Sequence, residues 1–125
     1  MSDEKTLAEA VDALADRFRS MPQSRLHGVV PGHASRAAAA LALARWLAAA
    51  ARAVEGGPVR ELPEAGAFAV GDQLAVTGHD LVAALAGLPG DDGVALPAEL
   101  GGPSTVAAVR AEASARVARA AALCH

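Results

Sequence analysis

The sequence predicts an all-α fold: a small four-helix bundle with antiparallel packing. Three observations carry that expectation. Of its 125 residues, 34 are Ala and 14 are Leu, a composition with high intrinsic helix propensity. Apolar residues recur every three or four positions over several long windows, the period of a helix with one buried face. Clusters of proline and glycine then cut the chain into four such windows, near 3–20, 34–54, 64–87 and 104–122. At this length the chain supports one core, so a single domain over 1–125 is expected.

The first window carries Leu7, Val11, Leu14, Phe18 and Met21 on one face, with Glu9, Asp12, Asp16 and Arg19 elsewhere on the wheel. Thr6 and Glu9 have the spacing of a capping box, and Pro22 stops the helix. The second window starts near His33 or Ser35 and ends at Gly56-Gly57-Pro58. It is apolar almost all round, with Arg36, Arg45 and Arg52 as its wet edge. Such a helix belongs at the centre of a bundle or in an interface between subunits. Trp46, with Leu43 and Leu47, is its natural anchor.

The third window reads in two ways. Residues 68–76 alternate like a short β-hairpin turning at Gly71-Asp72. Helical phase fits the longer stretch better. It puts Val70, Leu74, Thr77, Leu81, Leu85 and Leu88 on one stripe and Asp72, His79, Asp80 and Ala83 opposite. Gly71, Ala75 and Gly78 fall on a third face, where another helix can approach closely. Residues 88–103 hold four glycines and three prolines and read as a long loop, a functional flap or a poorly ordered connector, with a tight turn at Gly90–Gly93. The last helix presents Val106, Val109, Ala113, Val117 and Ala120 on one side and a Glu112–Arg116 pair on another.

Composition narrows the function classes. Ten Arg against one Lys, with no Ile, Asn or Tyr, reports a GC-rich bacterial genome. Cys124 is alone, so a disulfide scaffold is excluded. The start is acidic and no apolar stretch follows it, so no secretory leader is expected. The longest apolar run, Ala37 to Ala51, contains Arg45 and falls short of the roughly 20 residues of a membrane span. These readings give a cytoplasmic protein without a membrane segment. Net charge is −3, and Phe18, Trp46 and Phe68 read as core, so no stacking platform for nucleic acid is expected.

Charge is unevenly distributed. Residues 1–16 hold five acids and one lysine, 17–54 six arginines and no acid, 55–125 nine acids and four arginines. The simplest reading sets the basic stretch against acidic neighbours in the same or a second subunit. A sharper one is an anion site formed by Arg25, His27, His33, Ser35 and Arg36 at the start of the second long helix, where free backbone N–H groups favour a phosphate or carboxylate.

Chemistry is harder to find. Asp72 and His79 are seven residues apart, roughly 10.5 Å along a helix, and cannot share an ion unaided. Residues 76–85 resemble, over about ten positions, the metal-ligand helix of DinB-like, mycothiol-dependent bundles. Thr77 stands where that family places its histidine, so the resemblance implies no metal. No nucleophile elbow or phosphate-binding loop is present. The sequence therefore predicts a non-catalytic interaction module with no cofactor. It would be a homodimer or bind a protein partner, with Leu43, Trp46, Leu47, Gly71, Ala75 and Gly78 at the interface. The alternatives are a regulatory bundle holding a small anion, and a small enzyme using Asp72, His79 and Asp80.

Overall fold

A computed structural model describes residues 6–58 and 61–124. It is mostly helical. The order is α1 (Leu7–Arg19), α2 (Gln23–Leu26), α3 (Arg36–Glu55), α4 (Val70–Leu85), β1 (Gly93–Ala95), β2 (Pro103–Thr105) and α5 (Val106–Ala122), with 3-10 turns at Ala67–Ala69 and Ala98–Leu100.

Local sequence explains where the helices begin and end. The Thr6 side chain accepts from the Glu9 amide while the Glu9 carboxylate takes the Thr6 amide, a complete capping box. Ser35 caps α3 by accepting from the Ala38 amide, and Thr105 does the same for α5 through Ala108. Gly56 ends α3 in the left-handed region, at φ 75°. Between α2 and α3, Val30-Pro31-Gly32-His33 makes a tight turn closed by the His33 amide on the Val30 carbonyl, with Gly32 at φ 82°. Proline followed by a positive-φ glycine is the signature of a type II turn.

Across residues 68–76, the alternative hairpin, the chain forms the end of a 3-10 turn and the start of α4. A hairpin occurs further on: β1 lies inside the stretch expected to be a loop, and β2 runs from its last residue, Pro103, into Ser104 and Thr105, expected to begin the last helix; the two pair antiparallel, Val94 opposite Ser104. This short hairpin escapes a periodicity reading because each strand has three residues and Pro103 sits in one of them.

The helices do not simply alternate in direction. Arg19 meets Asp72 and Asp12 meets His79, so α1 and α4 run antiparallel. Arg36 reaches Leu123 while Arg116 lies over Trp46, so α3 and α5 are antiparallel too. By contrast, α3 and α4 run in the same sense. Ala37 and Leu41 share a cavity with Val70 and Gln73, whereas Ala51 and Glu55 share one with Val76 and Asp80. The chain between them doubles back and is held there by Arg45 on the Leu62 carbonyl and Gln73 on the Pro63 carbonyl. A proline- and glycine-rich return segment of this length permits the crossover, which displaces the expected up-down alternation.

The core combines the faces read from periodicity. Val11, Leu14 and Phe18 of α1, Leu74, Leu81 and Leu85 of α4, and Val106, Val109 and Val117 of α5 are all buried. α3 is the central helix: eleven of its residues are buried, including Leu43, Trp46 and Leu47. By length and hydropathy alone it would cross a membrane, but half of that window is buried inside this chain. Two large residues depart from the expected core. Leu88 is 38% exposed and Phe68 is 66% exposed. Phe68 lies in the 3-10 turn before α4, where its side chain is open to solvent.

Candidate functional site

The residues expected to bind an anion do not converge. Arg25 donates from Nη2 to the Cys124 carbonyl at 2.6 Å. Arg36 donates from Nε to the Leu123 carbonyl at 2.7 Å and from Nη1 to the Arg25 carbonyl at 3.2 Å. A helix ends with unpaired carbonyls and a partial negative charge, and these two guanidiniums meet that pole of α5. At the start of α3, the Arg36 amide is bonded to the Gly28 carbonyl and the Ala38 amide to Ser35. His27 and Ser35 line one cavity, of about 210 Å³. His33 lines a different one with Arg116 and Arg119.

The residues expected at a subunit interface are engaged within the chain. Leu43, Trp46 and Leu47 are buried in the core. Gly71 and Gly78 are where α1 comes closest. A Cβ on Gly71 would lie 2.8 Å from Arg19 Cγ and 2.9 Å from the Ala15 carbonyl, and one on Gly78 would collide with Val11. Ala75 is partly buried against the same core. The close-approach face read from the sequence exists, but its neighbour is α1 of the same chain. Little of its surface remains for a second copy.

Asp72, His79 and Asp80 are also separated. Arg19 Nε donates to Asp72 Oδ1 at 2.8 Å, and Arg19 Nη1 to Asp16 Oδ1 at 3.1 Å. The Asp72 hydrogen bond, then that of Asp16, holds the guanidinium above its usual pKa. His79 Nε2 lies 2.7 Å from Oδ1 of Asp12 in α1, a partner 67 residues away. Asp80 borders another concavity with Glu55 and Glu61. Among the described residues, no three His, Cys, Asp or Glu side chains gather closely enough to hold a metal ion.

Cys124 is buried, with its thiol directed to the Ala120 carbonyl, and burial pushes its pKa up. A buried thiol of raised pKa is a poor nucleophile.

Large apolar side chains left open to solvent include Val29, at 81%, between α2 and α3, and two at α4. Phe68, at 66% exposure, stands in the 3-10 turn before the helix, and Val76, at 61%, lies about one turn from exposed Asp72 on its solvent stripe. Exposed Asp80 and Ala83 continue it. Asp12 and Asp16 of α1 flank this stripe through their contacts with His79 and Arg19. The sequence carried a signal for half of this: Val76 falls among the polar positions of the α4 wheel. Phe68 gave none, because a lone aromatic at a helix start is more often core.

Comparison of the chain with protein-family models, with curated proteins and with solved structures finds no match.

Proposed function

We propose that this chain is a small, non-catalytic, cytoplasmic protein-interaction module whose docking surface is the solvent face of α4. The four long helices serve, in this reading, as the bundle that presents it. One observation carries the proposal: two large apolar side chains, Phe68 just before α4 and Val76 within it, are 66% and 61% exposed. An aromatic and a β-branched side chain open to solvent are suited to anchor a partner.

The charge around these anchors selects the partner. Asp12, Asp16, Asp72 and Asp80 surround them, against Arg19 and the imidazole of His79. Two copies of this face would bring carboxylates together, which costs free energy. A cationic amphipathic helix supplies both the apolar contacts and the opposite charge. The occupant we propose is therefore a basic amphipathic segment of another protein, in preference to a homodimer.

The test is fluorescence anisotropy with a labelled Leu/Lys amphipathic helix, its Leu/Glu counterpart as control. The expected result is saturable binding of the Lys peptide, weakened by salt and lost in the Phe68→Ser/Val76→Ser double variant. Equal binding of both peptides, or binding undiminished in the double variant, would overturn the proposal. Self-association through this face, detected by sedimentation and abolished in the double variant, would replace the partner with a second copy.

A further inference from the structure

A second concavity, independent of the α4 face, opens between the Val30–His33 turn, α3 and α5. Its volume is about 260 Å³. Ala39 and Leu43 of α3 and Leu123 after α5 form an apolar wall, and His33, Arg116 and Arg119 supply polar groups.

Three features give this cavity a positive potential. Arg116 Nε and Arg119 Nη2 lie 2.8 and 3.2 Å from the same atom, Glu112 Oε2. Two guanidiniums thus share one carboxylate, leaving an excess positive charge and several N–H groups. Arg116 is fixed by stacking over Trp46, 4.7 Å from the ring centroid, while Arg119 is 65% exposed along its side chain. The negative pole of α5, which would repel an anion here, is already met by Arg25 and Arg36. Finally, the chain from 17 to 54, which supplies the turn and all of α3 but its last residue, Glu55, contains no acidic residue.

We infer that this cavity binds a small carboxylate with a short apolar tail. The carboxylate accepts from Arg119, with Arg116 and His33 beside it, and the tail lies on Ala39 and Leu43. Hexanoate, a carboxylate on a short unbranched tail, is the probe of this class. The site differs from the one expected at the start of α3. Of that set only His33 takes part, and its companions come from α5.

The experiment is a titration of the ¹⁵N-labelled protein with sodium hexanoate, with hexanol and inorganic phosphate as separate arms at matched ionic strength. Hexanoate is expected to move the amides of Gly32, His33, Ala39, Leu43 and Ala120 saturably at millimolar concentration. Hexanol and phosphate, each lacking half of the ligand, should bind at least about tenfold more weakly. Arg119→Gln, at an exposed position, should leave the rest of the spectrum unchanged and weaken hexanoate by about tenfold, the cost of one charged hydrogen bond. Unsaturable shifts, hexanol or phosphate binding as tightly as hexanoate, or an Arg119→Gln variant that binds like the wild type would each overturn the inference.

Discussion

The two long sides of α4 differ in a way that reverses the ordinary reading of residue type. The side facing α1 is lined by Gly71, Ala75 and Gly78, residues with almost no apolar area of their own. It is closed, because glycine lets Val11, Ala15 and Arg19 come to van der Waals distance, where dispersion is gained over many atoms. The solvent side carries Phe68 and Val76, among the largest apolar surfaces in the segment, and is open. Small residues here mark a contact already made within the chain. Large exposed ones are, on the function proposed above, the contact left for a partner.

The comparison is broken most severely at its closed side. Gly78→Val places a branched side chain against Val11 and should cost about 3 kcal/mol, at the upper end of overpacking penalties, or roughly 10 °C in Tm. A calorimetric Tm unchanged from wild type would mean that α1 does not lie where the contact requires. The arginines that hold the far end of α5 come next. Arg36→Gln removes partly buried hydrogen bonds to two carbonyls and should cost about 1.5 kcal/mol, measurable as a lower urea midpoint. A midpoint that stays put would return Arg36 to the role of a free anion ligand.

A smaller effect sharpens the picture of the closed interior. Because burial raises the Cys124 thiol pKa, the unfolded chain gives up its thiol proton first as pH rises. Stability is therefore complete below the ordinary thiol range and declines above it. Thermal melts should show that alkaline decline reduced in Cys124→Ala, and alkylation of native Cys124 should be slow compared with the denatured chain. The smallest effect on stability belongs to the open side. Phe68→Ser/Val76→Ser alters exposed positions and should shift stability by no more than about 0.5 kcal/mol, and a large loss of Tm would show that these side chains serve the fold.

How much of this was legible in the sequence depends on how local each feature is. The Thr6–Glu9 capping box, the Ser35 cap, the Gly56 stop and the buried stripes of α1, α4 and α5 are set by residues within a few positions of one another, and periodicity finds them. The close-approach face of α4 was also legible, but not its neighbour, since a glycine does not specify what packs on it. Phe68 was misplaced because the 3-10 turn before α4 changes the helical phase at that residue. The roles of Arg25 and Arg36 were out of reach, because their carbonyl partners lie 99 and 87 residues away. From the sequence alone they were unpaired cations at a helix start, which is also what an anion site looks like.

The most direct test of the open side is an amide chemical-shift map of the ¹⁵N-labelled protein titrated with the Leu/Lys amphipathic peptide. The account predicts saturable shifts concentrated on Phe68, Asp72, Val76, Asp80 and Ala83, with weaker ones at Asp12 and Asp16 and none along the buried face of α3. Shifts centred elsewhere on the molecule, with the amides from 68 to 83 unmoved, would contradict it.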